Sequence, residues 1–215
     1  MKKILMTTAA VVLAFATSAS AATLSIVGGS GASIPFGSQQ NDVLNNIAGI
    51  SAPAAGFFGS TISAAGFGAN DKLLVEIMGY EAGFKNTFTA GAGSFTSPGG
   101  LLVGTLTTPL ARWTVSGISD GNLSFTFSTN GSVANPSVAN GSDNLNISGS
   151  ANFFASQVVE QNGALWLFFD DGGAFGDDDN HDDLVVRLSA VPLPAGAILL
   201  LTGLGALAMR RRKTA

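Results

Sequence analysis

The chain has 215 residues, no cysteine, 11% charged residues and a formal net charge of −4. Without cysteine it has neither a disulfide framework nor a thiolate metal site, so it must hold together by packing, or by packing plus a hard metal ion. Lys2 and Lys3 stand at the front and Arg210, Arg211, Arg212 and Lys213 at the back, so the stretch between them holds all 14 acids against Lys72, Lys85, Arg112 and Arg187. That acidic middle argues against nucleic acid as a partner.

The first 21 residues have the order of a secretory leader. Lys2 and Lys3 precede a mostly apolar run over 4–15, and Ala19, Ser20 and Ala21 supply small residues for cleavage after Ala21. Residues 22–190 then form one domain, long enough to bury a core. Short runs of alternating or β-branched residues predict strands at 24–27, 73–78, 87–89 and 113–118. Leu123, Phe125 and Phe127 alternate with polar residues, which predicts a strand with one buried face. Further strands are expected at 151–159, 164–169 and 184–188; the unbroken WLFF of the second reads as buried on both sides. One helix is expected over 41–47, where Val43, Leu44 and Ile47 share a face.

Turn chemistry separates these runs. Gly99-Gly100, Asp120-Gly121, Asn130-Gly131, Asn140-Gly141 and Asn162-Gly163 suit positive φ. Gln161-Asn162-Gly163 between two apolar runs predicts a hairpin. The pentads SVANP (132–136) and SVANG (137–141) are expected in an exposed loop. The fold expected from this pattern is all-β: an antiparallel β-sandwich, jelly-roll-like.

The segment FFDDGGAFGDDDNHDDL places seven of the 14 acids between Asp170 and Asp183. So many carboxylates together repel unless a cation offsets them. Calcium takes six to eight oxygens, and an Asp-rich loop bordered by Gly172, Gly173 and Gly176 can supply them. The candidate ligands are Asp170, Asp171, Asp177, Asp179 and Asp183. The spacing is not that of an EF-hand, and a solvated hairpin tip is the alternative. Catalytic signals are sparse, and no catalytic residue is assigned. His181 is the only histidine and lies inside the acidic run, where a nucleophilic triad has no place for it. Tyr80, Trp113 and Trp166 are expected in the core rather than on a sugar-binding surface.

Residues 191–209 carry no charge. As a helix they would span about 28 Å, close to a bilayer core of about 30 Å. Arg210, Arg211, Arg212 and Lys213 follow as a stop-transfer cluster. The expectation is a C-terminal transmembrane helix within 191–215. Before the span stands Val191-Pro192-Leu193-Pro194-Ala195, held extended by its prolines. Motif, span and basic cluster together resemble the PEP-CTERM class of bacterial sorting signals in its VPLPA variant, with Leu193 where that class commonly has Glu.

The resemblance implies an exosortase-type processing enzyme as partner and a Gram-negative envelope. It also implies a protein exported and membrane-anchored facing the periplasm, then moved to the cell surface or extracellular matrix. The acidic segment and GYEAGFKNTF (79–88) also resemble, more weakly, an uncharacterised family of bacterial extracellular domains, in which Glu81 and Asn86 could approach the acidic loop. The function expected is a non-enzymatic envelope or matrix protein. It would use calcium for stability or to bridge anionic exopolysaccharide; the alternative is a polysaccharide-active enzyme, a glycoside hydrolase or lyase, with the same tail.

Overall fold

Alternating sequence becomes thirteen strands in the computed structural model, which describes residues 21–33, 55–102, 108–141, 147–157, 164–172 and 181–191. In chain order these are β1 (Thr23–Ser33), β2 (Ala55–Ala65), β3 (Lys72–Ala82), β4 (Asn86–Ala90), β5 (Gly93–Thr96), β6 (Gly100–Leu102) and β7 (Ala111–Val115). They continue with β8 (Gly121–Asn122), β9 (Phe125–Thr129), β10 (Ser137–Ala139), β11 (Asn152–Ser156), β12 (Leu165–Asp170) and β13 (Leu184–Val191). One sheet runs β1-β2-β11-β12-β13-β3-β6, with β7 also pairing β3 and β8 pairing β2; the other runs β10-β9-β4-β5. Every pairing between these strands is antiparallel. Residues Ala22–Pro192 make one compact unit.

The core lies between the two sheets and is rich in phenylalanine. Phe127 of β9 stacks on Phe169 of β12 with centroids 4.8 Å apart and planes 5° from parallel. Phe88, on the neighbouring strand β4, meets Phe127 at 4.7 Å, and Phe153 of β11 meets it at 5.8 Å. Leu165, Leu167 and Phe169 point into this core, while Trp166 and Phe168 occupy the opposite face of β12 and are buried too. The unbroken WLFF is therefore a strand covered on both sides, as its composition predicts. Trp166 stacks on Phe168, and the Arg187 guanidinium lies 5.6 Å from the Trp166 ring while bonding Glu76 at 2.8 Å. Tyr80 and Trp166 are buried and Trp113 is half-buried, so the core expectation for these aromatics holds.

Glycines solve a facing problem in the β1–β2 pair. Ile62 points into the core, and Phe57 is in register with Ala155, another core residue. In an unbroken strand, positions 57 and 62 would face opposite ways. Gly59 at φ 63°, opposite Gly28 and Gly29 at φ 68° and 85°, reverses the alternation. A Cβ on Gly29 would also run into the Phe58 carbonyl oxygen.

Several expectations are corrected. The sheets hold nine and four strands, not the balanced two-Greek-key arrangement of an eight-stranded jelly roll. The second SVAN pentad is not a loop: Ser137–Ala139 forms β10, with Val138 buried against the core. The described structure contains no helix, and none in it is long and apolar enough to cross a membrane. Val191, the first residue of the expected C-terminal transmembrane helix, is the last residue of β13 and pairs with Lys72, its backbone committed to a sheet ladder. The assignment of a transmembrane helix to the fold is therefore withdrawn. Membrane anchoring, an exosortase-type partner and a membrane-anchored location facing the periplasm all presuppose that helix and are withdrawn with it. Pro192, Leu193, Pro194, Ala195, Arg210, Arg211, Arg212 and Lys213 lie outside the described residues, as do the expected leader over 1–20 and the expected helix over 41–47.

Candidate functional site

Strands β12 and β13 are hydrogen-bonded up to the pair Phe169↔Leu184. Asp170 and Asp171 therefore leave one strand where Asp182 and Asp183 enter the other, and the ladder holds the two ends of the acidic segment side by side. All four aspartates and His181 are between 0 and 7% exposed. A solvated hairpin tip would leave these carboxyl groups in water; instead they sit at the end of the sandwich, beneath its surface.

Each is fixed by local bonds. Asp170 Oδ1 accepts the Gly172 amide at 2.8 Å, a turn that aspartate forms with the residue two ahead. The Asp171 amide donates to Asp183 Oδ2 at 2.7 Å, tying the two strand ends together. The Asp182 carbonyl accepts the Glu81 amide from β3 at 2.9 Å. His181 has a left-handed backbone, φ 57°, a region in which histidine is over-represented among non-glycine residues. Its ring packs against Phe58 at 5.1 Å and Phe154 at 6.4 Å, with Nε2 2.9 Å from Asn152 Oδ1 and Nδ1 3.8 Å from Asp170 Oδ2. Because Asn152 Oδ1 can only accept, Nε2 carries a proton.

The second sheet contributes Asn86, the first residue of β4. Its Nδ2 donates to Asp171 Oδ2 at 2.8 Å and lies 3.5 Å from the Asp183 carbonyl oxygen. Asn86 is fully buried, and its backbone is held on both sides by Ser97: the Asn86 amide donates to Ser97 Oγ at 2.9 Å, and the Ser97 amide donates to the Asn86 carbonyl at 2.8 Å.

The electrostatics follow from this crowding. Burial first, and then the neighbouring Asp171, push the Asp183 carboxyl well above the ordinary carboxylate range; Asp170 and Asp182 add to the rise, and the hydrogen bond from the Asp171 amide opposes it. The cations of the domain do not resolve the charge. Arg187 is bonded to Glu76, and Lys72, Lys85 and Arg112 are exposed. Among the described residues, no group of three or more His, Cys, Asp or Glu side chains stands ready to hold a metal ion.

Of the expected ligands, Asp170, Asp171 and Asp183 come together here, and Asp177 and Asp179 lie outside the described residues. The approach of Glu81 and Asn86 to the acidic segment, expected from a resemblance, is present in the geometry. Asp182 and Asn152 belong to the cluster without having been singled out. For Asn152 a signal existed: asparagine is depleted in strands, and here it opens the apolar run NFFA. Burial of the four aspartates also corrects the expected partnership with anionic exopolysaccharide. A calcium bridge to a polymer needs these acids at the surface, and they are not there.

Comparison with protein-family models, with curated proteins and with solved structures finds no match to this chain.

Proposed function

We propose that this chain is a non-catalytic structural domain of an exported protein, stabilised by a calcium ion that Asp170, Asp171 and Asp183 take up at one end of the sandwich. The observation that carries this reading is the burial of four aspartates at the mouth of one hairpin, with Asp183 already driven toward its protonated form. Such a cluster has two means of relief, protons or a divalent cation. Near neutral pH the cation is the more effective, because one ion offsets two charges and takes carboxylate oxygens as ligands. Magnesium fits less well, since it demands a near-ideal octahedron. Burial also bears on catalysis: acids this enclosed are out of reach of a polymeric substrate, which favours a structural role over a glycosidase. Export rests on the leader-like order of residues 2–21.

Thermal melting tests the reading. At a hundredfold excess over Kd, a ligand that binds only the native state stabilises it by about 2.7 kcal/mol. The protein melts higher in millimolar calcium than in chelator, and by more than sodium at equal ionic strength achieves. Changing Asp170, Asp171 and Asp183 together to Asn removes the calcium-specific part. A calcium effect no larger than the sodium effect, or one that survives the triple change, overturns the assignment.

A further inference from the structure

We infer that Asn86 is the ligand that carries the calcium site across to the second sheet, so that the ion joins the two sheets as well as closing the acidic hairpin. This inference rests on the calcium reading above and adds to it a residue more than 80 positions away in sequence.

The observation is an orphaned oxygen. Asn86 is fully buried, its Nδ2 is placed on Asp171 Oδ2, and its Oδ1 is buried without a hydrogen-bond partner. A buried amide oxygen with no donor is costly and uncommon, and an amide that reaches into a group of carboxyl groups is not placed there to fill space. A hard cation satisfies an asparagine carbonyl oxygen and carboxylate oxygens together; calcium takes both routinely. The backbone under Asn86 is rigid, since two hydrogen bonds to Ser97 fix its amide and its carbonyl. Its side chain is therefore presented to the cluster at a fixed height. Asp171 follows β12 and Asp183 precedes β13, both strands of the larger sheet, whereas Asn86 opens β4 of the smaller one. An ion held by all three ties the layers at one end.

Calcium titration calorimetry on the full chain, with thermal melting beside it, tests the assignment through a reversal of sign. In chelator, Asn86→Asp loses the donor to Asp171 and adds a like charge, so it melts below the parent. With calcium the added charge becomes a ligand charge, and the affinity rises on the order of tenfold. Equal or weaker calcium affinity in a folded Asn86→Asp protein overturns the inference. Should Asn86→Asp not fold without metal, Asn86→Ser adds no charge and removes the reach of the oxygen. Its calcium affinity falls on the order of tenfold, and an affinity equal to the parent's overturns the inference. Ser97→Ala loosens the support without touching the ligand and changes affinity less than Asn86→Ser. A parent that binds no calcium sinks the calcium reading itself. A parent that binds, with affinity indifferent to position 86, sinks only the role of Asn86.

Discussion

Asn140 is a side chain acting as a piece of strand, and replacing it should cost more than its position in an Asn-Gly turn suggests. Its Nδ2 donates to the carbonyls of Ile62 at 2.8 Å and Leu123 at 2.7 Å, and its Oδ1 accepts the Ile62 amide at 2.8 Å. It thereby completes β2 where β8 pairs only Ser63 and Ala64, and it fastens the end of β10 to the other sheet. Three hydrogen bonds at about 1 kcal/mol each give about 3 kcal/mol. The site is part-buried, so water replaces some of this, and Asn140→Ala should lose about 2 kcal/mol. For a domain of this size that is a fall in Tm of about 4–8 °C. Asn140→Asp is sharper because it keeps the shape. One oxygen still accepts the Ile62 amide, but the other faces two carbonyl oxygens in place of a donor. At pH 7 the Asp variant should be no more stable than the Ala variant, and at pH 4, where the new carboxyl regains a proton to donate, it should recover part of the loss relative to the parent. Urea unfolding at both pH values measures this, with m unchanged if only stability moves. An Asp variant as stable as the parent at pH 7, or an Ala variant within about 0.5 kcal/mol of it, would refute the clamp.

Asp183 gives the cation-free domain an unusual pH dependence. Its folded pKa is raised by burial and by Asp171, so the native state holds a proton that the unfolded chain has released. This contribution is complete below the unfolded value of about 3.9 and is lost as pH rises through the raised folded value. In chelator, Asp183→Asn should flatten that decline, and calcium should flatten it in the parent by displacing the proton; an identical decline in the variant counts against Asp183 as its source. Phe127→Ala empties the centre of the core, where four other phenylalanines surround the ring, and should cost about 3–5 kcal/mol by equilibrium unfolding. A loss below about 1.5 kcal/mol, the range of tolerated core swaps, would mean that the two sheets do not pack through this ring.

The strands that could be read from sequence are those whose periodicity is written in large side chains. Phe125 and Phe127 alternate with threonine and serine and form β9, and the unbroken WLFF becomes the doubly buried β12. β2 was not legible because AGFFGSTISAA is built from small residues, and because Gly59 reverses its alternation halfway along. β10 was hidden for another reason. Its Asn-Gly ending is a loop signature, yet the asparagine is spent on three long-range hydrogen bonds that no local pattern records. The sheet order was out of reach as well. β3 is flanked by β13 on one side and by β6 and β7 on the other, and the β13 pairing joins residues more than a hundred positions apart, which no local pattern records. At the site, the hairpin half could be found by counting acids; for the other sheet a resemblance pointed to Asn86, but no pattern in the residues themselves placed its amide on Asp171.

The acidic cluster is also an argument about where such a domain keeps its stability. Two like charges about 4 Å apart repel by about 4 kcal/mol at an effective dielectric constant of 20, a large part of the 5–15 kcal/mol that holds an ordinary domain together. A chain free of cysteine, with few charges elsewhere, concentrates this repulsion at one end of the sandwich. That arrangement is tolerable only if the cluster is neutralised whenever the domain is folded. Protonation of Asp183 removes one charge and leaves the rest. A divalent ion bound as proposed would remove two, satisfy oxygens from both sheets, and replace repulsion between strand ends with attraction through the ion. On the calcium reading the same residues would stabilise or destabilise the fold according to the cation supply, so the metal-free and calcium-loaded domains should differ most in the separation of β4 from the β12–β13 mouth. Hydrogen exchange at the amides of Asn86, Ser97 and Asp171 reads that difference directly. Equal protection in calcium and in chelator would place the source of inter-sheet cohesion in the phenylalanine core alone.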